Sequence, residues 1–208
     1  MKPPTPFWLE QIKQIMAIAQ SGQFYSKNPF ETERYNNLLA LAQNLLQHYT
    51  GHDFESLNHA FIEGKGYVTP KVDVRAIVFK DGKMLMVKEK TDGCWCPPGG
   101  FADVGYTPFE IAVKETLEEA GITVKPLRLL AVMDKKCHNH PPSFYYIYKI
   151  FVLCEIISGE LSASLETDDA AYFELDQLPE LSKDRITKEQ INIIMERVKY
   201  LDTPPYCD

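Results

Sequence analysis

Three glutamates near the middle of the chain, Glu115, Glu118 and Glu119, have a spacing that suits metal binding. They lie in residues 108–120, which are predicted to form a helix closed by Gly121, and the i, i+3, i+4 spacing puts the carboxylates on one face. Each like-charged i,i+4 pair destabilises a helix by about 0.2–0.5 kcal/mol, and the negative end of the helix dipole disfavours each carboxylate by about 0.3–1 kcal/mol. A hard cation would offset both costs, so the spacing indicates a site for Mg²⁺ or Mn²⁺.

A glycine pair before this helix strengthens the metal interpretation. Gly99 and Gly100 form a loop that can present a backbone carbonyl to the cation. The other side of the helix is mostly apolar and carries Phe109, Val113, Thr116, Leu117 and Ala120. The alternative is that the glutamates form an ordinary solvated helix face. The regular spacing that runs from Gly100 to Gly121 favours the metal site over that alternative.

Residues 100–122 resemble the box of the Nudix family. That box runs Gly, five residues, Glu, seven residues, Arg-Glu, two residues, Glu-Glu, one residue, Gly and an aliphatic residue. The resemblance implies a metal-dependent pyrophosphohydrolase with an α+β fold, the Nudix α/β/α sandwich on a mixed sheet. It implies that four groups hold the metal: Glu115, Glu118, Glu119 and the carbonyl of Gly99. Glu115 and Glu118 are also the expected catalytic residues.

Two positions depart from the box, with Tyr106 in place of its first Glu and Lys114 in place of its Arg. The resemblance implies that this pair braces the loop, so the joint replacement is interpreted as one compensated change. All the metal-binding glutamates remain, which favours a working enzyme. The family also places a further acid late in the fold, as a base or an extra ligand. Glu166 is the first choice for that acid and Asp169 the second.

The resemblance extends to a two-domain subfamily that has a helical amino-terminal domain. Four stretches carry it: residues 24–27, 69–75, 101–108 and 148–151. Members of this subfamily act on CDP-choline, ADP-ribose or similar nucleoside diphosphates linked to another group. We therefore expect a pyrophosphohydrolase whose preferred substrate is CDP-choline, cleaved to CMP and phosphocholine. ADP-ribose pyrophosphatase and RNA 5′-end pyrophosphohydrolase are the alternatives.

Four residues are candidates for substrate contact: Trp95, Phe101, Tyr148 and Arg75. The aromatic side chains could stack on a base or face a quaternary ammonium group. Aromatic residues in strands belong more often to the core, so at most one or two of these rings are expected to touch the substrate. Arg75 lies in one of the stretches that resemble the subfamily.

A zinc site is the main alternative from another class of function. Its ligands would come from five residues: Cys94, Cys96, Cys137, His138 and His140. Structural zinc sites usually have two to four residues between paired cysteines, whereas Cys94 and Cys96 have one residue between them. The spacing therefore favours the glutamate site.

Charge and composition narrow the function further. A formal net charge of −7 argues against extended nucleic-acid binding, although it allows a small anionic substrate if a metal reverses the local charge. The chain shows no signal peptide and no apolar run long enough for a membrane span, so a cytoplasmic location is expected. The five cysteines are expected to be free thiols.

The elements that must position the site fall into two regions. Residues 1–62 are predicted to be a small helical domain, 63–70 a linker and 71–208 the Nudix domain. Strands are expected at residues 72–79, 84–87, 127–133 and 144–154, and a last helix is expected to begin at Thr187. Because so small a helical domain buries little of its own apolar surface, we expect its helices to form a homodimer.

Overall fold

The computed structural model describes residues 6–50, 67–200 and 202–208. The chain forms two compact units, one made of Met1–Pro70 with Pro142–Tyr146 and the other of Lys71–Pro141 with Ile147–Asp208. The predicted linker residues 63–66, and a further short helix expected near residues 53–61, lie outside the described residues. The predicted domain limits therefore stay a prediction. Among the described helices, none is both long and apolar enough to cross a membrane.

The first unit contains two helices, α1 (Phe7–Tyr25) and α2 (Pro29–Thr50). The side chain of Asn28 begins α2, because its Oδ1 accepts a hydrogen bond of 3.0 Å from the backbone N–H of Phe30. The two helices bury one small apolar cluster between them: Leu9, Ile12, Met16, Ala42 and Leu46. This cluster confirms the helical character predicted for this region.

Much apolar surface stays exposed on these helices. The large apolar side chains that are exposed are Phe7, Ile18, Phe24, Tyr25, Phe30, Leu38, Leu41, Leu45 and Tyr49. The apolar stripe of α2 comprises Tyr35, Leu38, Leu39, Ala42, Leu45, Leu46 and Tyr49. Of this stripe only Ala42 and Leu46 are fully covered, and Leu38, Leu45 and Tyr49 are exposed. The two helices thus leave apolar surface that their own packing does not hide.

Residues 142–146 belong to the helical unit although they come much later in the chain. The hydroxyl of Tyr146 donates a hydrogen bond of 2.9 Å to Glu10, and the ammonium of the buried Lys13 lies 3.9 Å from the Tyr146 ring centroid. Phe144 packs against the apolar cluster of α1 and α2. The strand expected over residues 144–154 was therefore wrong at its start, because its first three residues serve the other unit.

The second unit is built on one mixed sheet. Its strands are β1 (Lys71–Lys80), β2 (Lys83–Glu89), β3 (Trp95–Cys96), β4 (Gly99–Phe101), β5 (Ile122–Asp134), β6 (Ile147–Gly159), β7 (Thr167–Phe173) and β8 (Tyr206–Cys207). The strand order is β3-β2-β1-β6-β5-β8, with β4 also paired to β1 and β7 also paired to β2. The pairs β1–β6 and β5–β8 are parallel and the others are antiparallel. This is the mixed sheet expected of the Nudix fold.

Two helices complete this unit, α3 (Pro108–Ala120) and α4 (Lys188–Lys199). A capping box between Thr187 and Gln190 begins α4, as the sequence predicts. Asp81 and Gly82, with φ of 52° and 81°, form the turn between β1 and β2, two strands that the sequence predicts. The short strands β3, β4 and β8 were not predicted.

Strand β4 approaches β1 very closely. Gly99 pairs with Arg75 and has a φ of 143°, and a Cβ added at Gly99 would overlap the carbonyl oxygen of Val74. Only glycine fits a position that combines this backbone angle with this contact. The close approach fixes the position of β4, the strand that faces the glutamates of α3.

A buried ion cluster lies in the centre of the sheet. Asp73 accepts two hydrogen bonds from Arg75, at 2.9 and 3.0 Å, and one of 2.9 Å from the ammonium of Lys149. Burial alone would raise the pKa of Asp73, but Arg75 and Lys149 more than offset it and hold that pKa well below its usual range. One carboxylate thus compensates two buried cations.

We expect Asp73→Asn to lower the free energy of unfolding by about 3–5 kcal/mol, because it removes the carboxylate that directly pairs with the buried charges of Arg75 and Lys149. Urea unfolding monitored by circular dichroism measures this. The matched control is Glu155→Gln, which breaks an exposed 3.0 Å ion pair with Lys125 and should cost no more than about 1 kcal/mol. Equal losses in the two variants would contradict the role given to Asp73.

We also expect Gly99→Ala to lower the free energy of unfolding by about 3–5 kcal/mol, since it adds backbone strain and overlap with β1. Gly105→Ala is the matched control, because Gly105 also has a positive φ, 98°, but nothing lies within 4 Å of its added Cβ. Strain alone should cost about 1–2 kcal/mol there. The same urea titration compares the two, and a Gly99→Ala variant as stable as Gly105→Ala would refute the close-approach argument.

Candidate active site

Helix α3 carries the predicted glutamates and is defined at both ends. A capping box begins it: the side chain of Thr107 accepts from the backbone N–H of Glu110, and the Glu110 carboxylate accepts from the backbone N–H of Thr107. Gly121 ends it in the left-handed conformation, with a φ of 72°, and donates its N–H to the carbonyl of Leu117. Both ends agree with the helix predicted from the sequence.

The glutamate face of α3 is turned toward the protein interior. Glu115 and Glu119 are only 8% and 5% exposed, whereas Phe109 and Leu117 on the apolar side are 41% and 49% exposed. Glu118 lies at the edge and is exposed. A solvated acidic face, the alternative considered above, is therefore ruled out for Glu115 and Glu119.

The glycine pair of β4 lies directly against these carboxylates. The backbone N–H of Gly99 donates a hydrogen bond of 2.8 Å to Glu119. At Gly100, an added Cβ would lie 3.1 Å from Glu115 Oε2, so the missing side chain leaves room for that carboxylate. The structure thus brings together the glycine pair and two of the three predicted glutamate ligands.

Burial leaves these carboxylates short of positive charge. Burial raises the pKa of Glu119 to about 8, although Arg75 and the N–H of Gly99 partly oppose this. The pKa of Glu115 is also raised, mainly by burial and further by the charges of Glu118 and Glu166, against the opposing effect of Lys114. Buried carboxylates with raised pKa values are unfavourable unless a cation compensates them. Their oxygen atoms match the preferences of a hard divalent cation, so the residues present fit the implied metal.

A lysine lies among the carboxylates. The ammonium of Lys114 is 3.0 Å from Glu115, 3.0 Å from Glu118 and 3.4 Å from Asp103. Over the described parts of the chain, no three His, Cys, Asp or Glu side chains are gathered closely enough to hold a metal ion. Lys114 therefore occupies some of the oxygen atoms of Glu115 and Glu118, two of the carboxylates that the resemblance assigns to a metal. The pairing of Lys114 with Asp103 was not predicted, because an eleven-residue separation across a loop follows no helical or strand period.

The second predicted acidic region lies next to α3. The hydroxyl of Thr167 donates a hydrogen bond of 2.8 Å to the carbonyl of Glu119, which ties the start of β7 to the end of the helix. Glu166 precedes this contact, is exposed, and lies close enough to Glu115 to affect its pKa. Asp169 lies within β7, opposite Lys88. Of the two acids, Glu166 is the one that the structure brings near the predicted ligands.

The four predicted substrate contacts are not gathered at one place. Arg75 is 3% exposed, and besides Asp73 it donates a hydrogen bond of 3.2 Å to the carbonyl of Pro97. Trp95 is half-buried and packs edge-on against Phe173, with ring centroids 4.8 Å apart.

The two exposed rings, Phe101 on β4 and Tyr148 on β6, lie on opposite faces of the sheet. Phe101 pairs with Asp73, while Tyr148 pairs with Val72. Directly paired residues share a face and successive residues alternate, so Phe101 and Tyr148 cannot stack on the same base.

The cysteines and histidines of the zinc alternative have partners of other kinds. The thiol of Cys96 lies 3.2 Å from a carboxylate oxygen of Glu89, and Cys137 is exposed. His140 donates its Nδ1–H to the carbonyl of Lys183 at 2.6 Å, and His138 lies 3.1 Å from a carboxylate oxygen of Asp208. These contacts hold the residues in separate local arrangements.

Comparisons with known proteins identify both parts of the chain. The family described as the NUDIX domain matches residues 69–196, and the family described as "UDP-X-like, N-terminal oligomerisation domain" matches residues 6–61. A relative from Bacillus subtilis (strain 168), YjhB, is 42% identical over 201 residues, which are 97% of each chain. Its name describes it provisionally as an ADP-ribose pyrophosphatase. The ADP-ribose pyrophosphatase of Methanocaldococcus jannaschii is 37% identical over 57% of this chain and 70% of its own length.

Solved structures agree with these matches. A UDP-X diphosphatase superimposes with a TM-score of 0.64 and 34% identity over 100% of both chains. An ADP-ribose pyrophosphatase from Streptococcus suis 89-1591 superimposes with a TM-score of 0.61 and 37% identity over 67% of this chain and 100% of its own. With its box helix, its mixed sheet and these matches, the chain belongs to the Nudix hydrolase family and carries an amino-terminal domain of the UDP-X-like type.

Proposed function

We propose that this Nudix pyrophosphohydrolase hydrolyses ADP-ribose to AMP and ribose 5-phosphate. The observation that carries the substrate is the 42% identity to YjhB, which spans both parts of the chain. The similarity to a UDP-X diphosphatase keeps other nucleoside diphosphates linked to a second group within the proposed substrate class. CDP-choline, the substrate favoured by the sequence, stands second because no relative described above carries that name.

We propose that Glu115, Glu118, Glu119 and the carbonyl of Gly99 hold Mg²⁺ or Mn²⁺. The support is the burial of Glu115 and Glu119 against the glycine pair and the raised pKa values that burial produces. When bound, the metal supplies positive charge to the diphosphate and lowers the pKa of the attacking water. Glu119, fixed by the N–H of Gly99, keeps one oxygen in a defined direction.

Glu166 is the proposed general base. It is exposed, and the contact between Thr167 and the carbonyl of Glu119 tethers it at the end of α3. Its carboxylate takes a proton from the attacking water, whose oxygen forms a bond to phosphorus while the bond from phosphorus to the bridging oxygen breaks. In this scheme Glu115 and Glu118 would act as ligands of the metal.

Tyr148 is the aromatic residue proposed to contact the nucleotide. It pairs with Val72 on the β1 face that also carries Val74, the partner of Gly100. Glu115 approaches Gly100 from the side on which a Cβ would stand, so Tyr148 and Glu115 share that face. Trp95 and Phe101 are secondary candidates, and Arg75 is proposed to support Asp73 and not to contact the substrate.

With Mg²⁺ present, we expect kcat/KM for ADP-ribose to exceed that for CDP-choline by at least about tenfold, or about 1.4 kcal/mol of discrimination in the transition state. A triphosphorylated oligonucleotide should be a poor substrate, because the chain is acidic. Product analysis by ion-exchange chromatography measures all three. A higher kcat/KM for CDP-choline would reverse the proposed order.

The same assay tests the metal site. Glu119→Gln keeps an oxygen for the N–H of Gly99 but removes the charge, and should lower kcat by about 100-fold or more. Glu110→Gln is the matched control on the same helix, since glutamine also completes a capping box, and it should retain activity. Turnover in excess EDTA, or a Glu119→Gln variant as active as the control, would contradict the metal assignment.

We also propose that the helical unit forms a homodimer. The exposed apolar side chains of α1 and α2 support this, as does the oligomerisation domain that the family match describes. Two-fold pairing is the commonest way to cover such a surface.

Light scattering should give twice the 23.8 kDa chain mass. Replacing Leu41 and Leu45 together by Glu should give a monomer, because each places a charge on the exposed apolar surface of α2. The control Leu127→Glu changes an exposed leucine of β5 and should remain a dimer. A wild-type protein that is monomeric at tens of micromolar, or a dimeric double variant, would overturn the proposal.

A further inference from the structure

Lys114 has three carboxylate partners that differ in what a metal would do to them. Its ammonium lies 3.0 Å from Glu115, 3.0 Å from Glu118 and 3.4 Å from Asp103. An ammonium has three N–H donors, so these three partners account for its full capacity. Glu115 and Glu118 are proposed metal ligands, whereas Asp103 lies in the loop before α3.

A divalent cation and this ammonium compete for the same oxygen atoms. If the metal binds Glu115 and Glu118, Lys114 loses two of its three partners and meets a repelling charge nearby. Asp103 is then the contact that remains to it. Asp103 and Glu118 are largely exposed. The ammonium can therefore move from one to the other without being buried on the way.

We propose that Lys114 is an internal counterion of the acidic cluster, and that Asp103 draws it away when the metal binds. In this scheme Lys114 competes with the metal, and Asp103 assists the metal by offering the displaced ammonium a partner. The inference rests on the metal site of the proposed function. It assigns Asp103 as a positioning residue, since it acts through Lys114 and not on the substrate.

The same ion pair connects the loop to the helix. The carbonyl of Asp103 accepts the N–H of Tyr106 at 3.3 Å, so Asp103 begins a turn that leads into the cap residue Thr107. When Lys114 has no other carboxylate partner, its ion pair with Asp103 holds that turn more firmly against α3. Metal binding is thereby linked to the order of residues 103–107.

The two residues should change metal affinity in opposite directions. Calorimetric titration of the metal-free, full-length protein with MgCl₂ or MnCl₂ measures this without turnover. Ion pairs with this exposure change an equilibrium by a factor of about two to five. We expect Lys114→Met, which keeps the aliphatic stem, to tighten metal binding about fivefold and Asp103→Asn to weaken it about two- to fivefold. The control Glu155→Gln, which breaks an exposed lysine pair elsewhere, should leave the affinity unchanged.

The double variant separates an indirect effect of Asp103 from a direct one. If Asp103 acts through Lys114, Asp103→Asn should have no further effect in the Lys114→Met protein. If Asp103→Asn weakens binding equally in both backgrounds, Asp103 acts on the metal itself and the inference is overturned. Weaker metal binding by Lys114→Met overturns it as well.

Hydrogen exchange gives a second readout. Saturating Mg²⁺ should slow amide exchange over residues 103–107 in the wild type and less so in Asp103→Asn, and an equal response in the two proteins overturns the inference. A wild type that binds neither Mg²⁺ nor Mn²⁺ overturns the metal site of the proposed function, and this inference with it. Metal binding with unchanged affinity in Lys114→Met overturns the inference alone.

Discussion

The arrangement of the site depends on the burial of two carboxylates against a strand that has no side chains in the way. Glu119 reaches the N–H of Gly99, and Glu115 fills the space beside Gly100. Burying two neighbouring carboxylates is unfavourable unless positive charge compensates them, and this is the physical support for the proposed metal site. The helix caps, the left-handed Gly121 and the close pairing of β4 with β1 all hold this geometry against the repulsion.

The central sheet offers a contrasting case of buried charge. There, Asp73 is surrounded by Arg75 and Lys149, so its ionised form is favoured and the cluster is compensated within the protein. At α3, burial outweighs the nearby cations, and the pKa values of Glu115 and Glu119 are raised. The domain therefore contains one buried charge cluster that is compensated within the sheet and a second, on α3, that nearby cations compensate less fully.

The sequence predicts the parts of the fold that local chemistry determines. The cap at Thr187 and the end of α3 at Gly121 are local signals, and the structure agrees with both. The sequence was less informative about which face of α3 is buried. Phe109 and Leu117 would normally mark a core face, but here they are exposed. Strands of two or three residues carry no period, and the pairing of Lys114 with Asp103 depends on how a loop folds back. These features arise from tertiary contacts, which sequence spacing does not encode.

Because residues 142–146 belong to the helical unit, the order of synthesis limits when that unit can complete its packing. Synthesis begins at the amino terminus, so α1 and α2 leave the ribosome long before Phe144, Tyr145 and Tyr146. Until then the helices lack the ring that lies over Lys13 and the hydroxyl that bonds Glu10. The helical unit therefore reaches its final packing only after most of the catalytic sheet has been translated, although its own helices come first in the sequence.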